Sequence, residues 1–467
     1  MPLLAAAVLL SGPVVWTYAV TAGPGARELR VEARFTRAVG GALTFDDGVG
    51  PFVDEVEVRV GRSWARAETR GDLVLAPTCE RGPCRLRYRV ALDRAARALD
   101  DRGIAAAYGD VLLAPPSSWL ARPLGDGAGG RYRFTVETPD GVSFATGVTP
   151  APGAPGAYEA GTGDLWQAPY SAFGPMEHAR VPVAGGVVDV AIGSGEWPLP
   201  RDEVLEWVRR SAGAVAGYYG TFPVPRVQVI VVPGGRRPVG FGTTLGNGGA
   251  SVVVWVGRGA TRAAFERDWV LTHELTHLGF PNVPRASHWL EEGLATYVEP
   301  IARARAGLLS AADAWKGLAE GLPKGLPRAG EDGFDRNRRW GTLYWGGALF
   351  WFLADLEIRE RTGGRRSVAD AIRAIRAEGG TIAVRWPVDR TLATGDRATG
   401  TDVLTSLYAR FGRAASRYGQ ADLDALFQAL GVAVEAGAVR FDDGAPRASV
   451  RRAITGTDDT AASRETR

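Results

Sequence analysis

His273-Glu274-Leu275-Thr276-His277 lies inside a run of helical spacing, Thr261 to Gly279, and is followed by Trp289-Leu290-Glu291-Glu292-Gly293-Leu294-Ala295-Thr296-Tyr297. On an α-helix, positions i and i+4 stand on one face about 6 Å apart along the axis, so both imidazoles can reach one zinc ion at about 2.0–2.1 Å. Glu274 then sits beside the metal without ligating it, placed to take a proton from water. The chain has only four histidines, His178, His273, His277 and His288. At that scarcity, chance assembly of the five-residue pattern is on the order of one in several hundred.

A zinc hydrolase site needs a third protein ligand and an open fourth position. Fifteen positions after His277 stands Glu292. Around it Leu290, Leu294 and Tyr297 make an i, i+4, i+7 apolar stripe, while Glu292, Thr296 and Glu299 repeat on another face. One face packs and the other faces metal, which makes Glu292 the expected third ligand. Glu291, about 100° round the helix, is expected at the surface. Glu299 is expected behind the site, its carboxylate holding a histidine Nδ1–H.

Outward from this stretch, the composition bounds the rest. A chain of 467 residues with 45% hydrophobic and 23% charged residues has ample material for buried cores, which excludes dominant disorder and supports several domains. Its 55 basic and 52 acidic residues are interspersed, without a Lys/Arg block, so nucleic acid is not an expected partner. Beyond the first residues no segment has 18 uninterrupted apolar residues, and no stable membrane span is expected in the mature chain. Leu3 to Leu10, followed by small residues, fits a signal segment over residues 1–13. Cys79 and Cys84, the only cysteines, sit in a short Gly-Pro loop that reads as disulfide-closed. Together these predict export to the periplasm or beyond.

Residues 14–150 alternate apolar with polar in short runs, such as Glu28-Leu-Arg-Val-Glu-Ala-Arg-Phe and Val53-Asp-Glu-Val-Glu-Val-Arg-Val, which predicts an N-terminal β-sandwich. Ala151-Pro-Gly-Ala-Pro-Gly-Ala reads as a linker. Strands then mix with helices over residues 156–345 as an α+β domain, and residues 346–454 read as a C-terminal helical domain. The polar residues 455–467 read as a disordered tail.

The His-Glu-Leu-Thr-His sequence followed by Trp-Leu-Glu-Glu-Gly-Leu-Ala-Thr-Tyr resembles the zinc site of gluzincin metallopeptidases, in which a glutamate just before Gly-Phe/Leu-Ala/Thr is the third ligand. Within that group the chain is most similar to the glycyl aminopeptidase family, and more distantly to the aminopeptidase N family. Leu343-Tyr344-Trp345-Gly346-Gly347-Ala348-Leu349 and the run Asp355 to Gly364 support the former. The resemblance implies a thermolysin-like zinc peptidase domain, a Zn²⁺ cofactor and a peptide or protein substrate. It also implies that Tyr344 donates a hydrogen bond to the oxyanion formed during hydrolysis, a role suited to a phenol that keeps its proton near neutral pH.

The resemblance departs from the aminopeptidase N pattern in the shorter step from His277 to Glu292 and in the missing Gly-x-Met-Glu-Asn strand. In that strand's place Gly246-Asn247-Gly248-Gly249-Ala250-Ser251 is expected to offer a strand edge, with Gly248, Gly249 and Ala250 pairing to the substrate backbone. Gly174-Pro175-Met176-Glu177-His178 is a lookalike far upstream. A zinc hydrolase of a non-peptide substrate, such as an ester or epoxide, is the alternative reading. A catalytically degenerate binding protein on the same fold is a second alternative, against which the intact ligands, base and tyrosine count.

Overall fold

Alternation in the sequence becomes alternation in burial. In the computed structural model, which describes residues 12–125 and 129–456, Leu29–Phe35 buries Leu29, Val31, Ala33 and Phe35 and exposes the residues between them. This strand sits mid-sheet among seven, in the order Ala157–Gly161, Arg131–Glu137, Val14–Ala22, Leu29–Phe35, Cys84–Val90, Val53–Val60 and Ser63–Arg66. Val14–Ala22 and Arg131–Glu137 run parallel, and the other neighbours antiparallel. The outer face carries charge pairs, with Arg89 bonded to Asp54 and Glu28, and Arg87 to Glu57. Two four-stranded sheets share the core of this one, which includes Phe35, Phe45, Trp119, Phe134 and Phe173. Cys79 and Cys84 are joined by a disulfide, their Cα atoms 5.1 Å apart.

The expected linker is instead a turn within this sheet. Ala151 N–H donates to the Ala157 carbonyl (2.8 Å), Pro150 bridges Tyr158, and the chain re-enters as Ala157–Gly161 beside Arg131–Glu137. Proline and glycine mark tight turns as readily as linkers, and composition alone does not separate the two.

A further five-stranded sheet has the order Met176–Val183, Gly186–Gly193, Arg226–Pro233, Ser251–Val256 and Val239–Leu245. Arg226–Pro233 and Ser251–Val256 run parallel with Ile230 opposite Val253, and both are apolar runs buried almost throughout.

The chain divides into two compact units, where the sequence suggested three domains. The first holds the chain up to Val181 with Val188–Pro200 and Arg226–Ala260, and so combines the β-rich region with the five-stranded sheet. The second holds Pro182–Val187, Arg201–Pro225 and the chain from Thr261, so the helices around residues 273–297 group with those beyond residue 346. In this unit Arg201–Tyr219 is a helix; Asp202 and Glu203 suit its first turn, and Val204, Trp207, Val208, Val215 and Tyr219 form its buried face. The region after Tyr344 is mostly helical, with Gly347–Thr362, Val368–Ala377, Val388–Thr399 and Gln420–Leu430. It also contains a hairpin, Val432–Glu435 with Ala438–Phe441, that helical periodicity did not reveal. Among the described residues no helix is long and apolar enough to cross a membrane. The expected signal segment falls outside the described residues, apart from Gly12 and Pro13, and the expected tail outside them from residue 457 onward.

Candidate metal centre

The expected helix from Thr261 to Gly279 is two helices, Arg262–Arg267 and Val270–Thr276, broken at Asp268, whose backbone is extended (φ −61°, ψ 137°). Seven residues do not make a stable helix unaided. The surroundings supply the support: Asp268 accepts from the Val270 and Leu271 N–H groups (both 3.1 Å) and from Trp207 Nε1 (2.9 Å). At the other end the Tyr219 hydroxyl donates to the Thr276 carbonyl (3.0 Å). An aspartate ahead of an apolar helical run is a start signal, and that was the clue available for Asp268. Every residue of Val270–Thr276 is buried, including His273 and Glu274, and His277 follows in a turn of 3₁₀-helix.

Glu292 comes from the first turns of the helix Trp289–Arg305. Gly293 lets this helix meet Gly347–Thr362 backbone to backbone, because a Cβ there would lie 2.2 Å from Gly347 Cα. Trp351 Nε1 donates to the Leu290 carbonyl (2.8 Å) across the same contact. Asp335 fixes the helix start: it accepts from Trp289 Nε1 and Ser287 Oγ (both 2.9 Å) and from the Tyr408 hydroxyl (2.6 Å).

The two helices bring His273, His277 and Glu292 together, with one potential ligand atom from each lying within 4.8 Å of the others. His273 Nε2 is 3.3 Å, and His277 Nε2 3.6 Å, from Glu292 Oε2. Ligand atoms about 2.1 Å from a tetrahedral zinc ion are roughly 3.4 Å apart, so this spacing and the two-nitrogen, one-oxygen donor set fit zinc with one position left open. Burial would raise the Glu292 carboxyl, but His277, His273 and His288 outweigh it and hold it well below the usual carboxylate range. Burial likewise opposes protonation of His277, and Glu292, Glu274 and Glu291 outweigh it to push its pKa up.

Two expectations behind the ligands are corrected. Glu291 is buried rather than at the surface: one oxygen accepts from the Val283 N–H (2.7 Å) and the other lies 3.0 Å from His288 Nδ1. The 281–284 segment covers the first turn of the helix, and its backbone donor needs an acceptor. His288 Nε2 in turn is 3.3 Å from Glu292 Oε1, so this histidine grips the Glu292 carboxylate from behind. Against the pull of burial, the two glutamates push the His288 pKa up to about 10. Glu299 does not hold a histidine Nδ1–H among the described contacts. It binds Arg303 (2.9 Å), whose guanidinium also donates to the Arg267 carbonyl (3.1 Å) and ties the two ligand-bearing stretches together. A buried carboxylate one turn from an arginine on the same helix pairs with it before it reaches further.

Tyr344 lies in a π-helical turn, Thr342–Gly346, that opens the Gly347–Thr362 helix. Such turns recur at functional sites because the extra residue re-aims side chains. Its ring centroid is 6.4 Å from that of His273. Burial raises its pKa, and Glu292 and Glu274 raise it further, so the phenol keeps its proton and remains a donor.

The expected substrate edge is not open. Gly248, Gly249 and Ala250 lie in the first unit, where the Gly248 carbonyl accepts from Thr149 N–H (3.1 Å), Gly249 bridges Val148, and Ala250 N–H donates to the Gly147 carbonyl (3.0 Å). Gly249, at φ 159° with a Cβ position 2.1 Å from the Gly147 carbonyl, is glycine because residues 147–149 pack against it. The edge of that sheet is the preceding strand, Val239–Leu245. Glu177 and His178 lie on the strand at the opposite edge, Met176–Val183.

No protein-family model matches the chain, and no curated protein matches it in sequence. Solved structures do share its fold. The aminopeptidase N family protein of Idiomarina loihiensis is 14% identical, with 90% of this chain and 79% of that one covered and a TM-score of 0.67. The M1 zinc metallopeptidase of Deinococcus radiodurans is 16% identical, with 87% and 94% covered and a TM-score of 0.54. A mutant of that enzyme bound to a Tyr-Ser-Ala substrate is also 16% identical, with 86% and 94% covered and a TM-score of 0.53. The chain is thus a multidomain α+β protein whose fold is that of M1 zinc metallopeptidases and aminopeptidase N family proteins.

Proposed function

We propose that this protein is an exported zinc-dependent metallopeptidase of gluzincin type, closest in its motifs to glycyl aminopeptidases, with a thermolysin-like catalytic region. The observation that carries the reading is the convergence of His273, His277 and Glu292 at zinc-ligand spacing, with the Glu274 and Tyr344 side chains beside them. A zinc ion held by those three residues supplies Lewis acidity, lowering the pKa of water and polarising a carbonyl. Glu274 takes the proton of the attacking water and returns it to the leaving amine. Tyr344 keeps its proton and donates a hydrogen bond to the carbonyl oxygen as that atom gains charge. His288 and Glu291 hold the Glu292 carboxylate from behind, and Asp268 holds the start of the histidine-bearing helix.

The fold likeness supports a peptide substrate, since one neighbour was solved with Tyr-Ser-Ala bound. The Cys79–Cys84 disulfide supports an exported location. The test is zinc content together with cleavage of a peptide library carrying free and acetyl-blocked amino termini. The reading expects bound zinc, and cleavage that a chelator removes and zinc restores. Hydrolysis of esters but of no peptide would move the protein to a different class of zinc hydrolase.

A further inference from the structure

We propose that Trp269 and Trp340 line the subsites for the side chains that flank the scissile bond, one indole at each, and that the enzyme prefers peptides with an aromatic or large apolar residue there. This rests on the metallopeptidase reading above. Three tryptophans stand exposed among the described residues, and two of them border the metal centre: Trp269 is 45% and Trp340 62% accessible. Each touches a ring of the site. The Trp269 ring meets His273 edge to face (centroids 5.7 Å, 88°), and Trp340 lies against Tyr344 (5.5 Å, 40°). With the His273–Tyr344 contact at 6.4 Å, four rings form one row that starts and ends in an exposed indole.

Both indoles project from fixed backbone. Trp269 follows Asp268, which is held by Trp207 and by the helix it starts. Trp340 follows Arg339, whose guanidinium takes both oxygens of Glu331 (2.8 and 3.0 Å) and donates to the Leu326 carbonyl (3.2 Å). Large apolar groups left to water on immobilised backbone mark a binding surface, because little ordering remains to be done when a ligand arrives. Indole rings take flat side chains edge to face or offset-stacked, and aliphatic ones by apolar burial. A cationic side chain can also bind an indole face, so a Lys peptide is the control that separates apolar burial from cation–π binding.

The test compares the zinc-loaded wild type with Trp269→Ala and Trp340→Ala on matched peptides carrying Phe, Leu, Ala or Lys on each side of the scissile bond. The wild type should favour Phe or Leu over Ala by about 10–200-fold in kcat/KM at the position that each indole borders, with Lys below both. Each variant should shrink that ratio by roughly tenfold, mostly through KM. A wild type that treats Phe and Ala alike or prefers Lys, or variants that keep the ratio, would overturn the proposal. A second arm needs no turnover: calorimetric affinity of zinc-loaded Glu274→Gln for the Phe and Ala peptides, with and without Trp340→Ala. Failure of wild type to cleave any peptide contradicts the metallopeptidase reading, and the binding arm then still decides the subsite. Tighter binding of the Phe peptide, lost with Trp340→Ala, supports it, and equal binding of the two peptides overturns it.

Discussion

The two stretches that carry the candidate metal ligands reach one cluster by different means. Val270–Thr276 is two turns long and wholly buried, and with the 3₁₀ turn that follows it sets His273 and His277 four residues apart on one face. Its surroundings hold only its two ends, through Asp268 at the start and the Tyr219 hydroxyl on the Thr276 carbonyl. Trp289–Arg305 is 17 residues long and is positioned by contacts spread along it: Asp335 on Trp289, Gly347 against Gly293, and Arg303 between Glu299 and the Arg267 carbonyl. Its Glu292 carboxylate is further gripped by His288. The histidine pair is brought together by spacing along one continuous stretch, whereas Glu292 reaches it only through packing between helices.

The largest effect that could break this comparison is at the third ligand. Glu292→Ala should weaken zinc binding by more than the roughly 10–100-fold typical of residues that only support ligands. Competition against a chromophoric chelator measures it, and a loss under tenfold would mean that the second helix is not part of the centre. Next comes Tyr344→Phe, which should lower kcat by about 10²–10³ with zinc retained, as expected when one oxyanion donor is removed. An unchanged kcat would assign the phenol to packing alone.

Smaller effects sharpen the contrast between the helices. Asp335→Asn leaves the fold's apolar contacts in place but weakens the acceptor shared by Trp289, Ser287 and Tyr408, and zinc affinity should fall about tenfold. Asp268→Ala removes the cap of the histidine-bearing helix and should cost about 1–2 kcal/mol of stability in denaturant unfolding, with a smaller change in zinc affinity than Asp335→Asn. The reverse ranking would show that the helix start, not the i, i+4 spacing, sets the histidine pair. Replacing both Cys79 and Cys84 by Ser should leave zinc affinity alone and destabilise the protein by about 2 kcal/mol, since the closed loop is short.

The same contrast explains what could be read from the sequence. The grouping of His273, His277 and Glu292 was legible because these residues follow helical periodicity in and near a distinctive motif. The burial of Glu291 and its link to His288 were not, because both depend on residues 281–284 folding back over the helix start. Glu299 was assigned to a histidine from its helical face alone, and the arginine one turn on took it instead. In the first unit, strand alternation located Leu29–Phe35 and its neighbours. It could not show that a Pro/Gly stretch was a turn, or that the glycines at 248 and 249 were already paired, since both depend on which strands lie side by side. Asp335 and Arg339, which fix the approach to the site, lie in irregular loops where no periodicity points to them.

The central claim is that the three ligands hold zinc for Glu274 to hydrolyse peptide bonds. Wild type and Glu274→Gln should be assayed side by side for zinc content and for cleavage of free and acetyl-blocked peptides. The account predicts a single zinc ion in each protein, peptide hydrolysis by the wild type, and a rate lower by roughly 10²–10⁴ in the variant. Zinc in both proteins with equal cleavage by both, or a zinc-loaded wild type that cleaves no peptide, would contradict it.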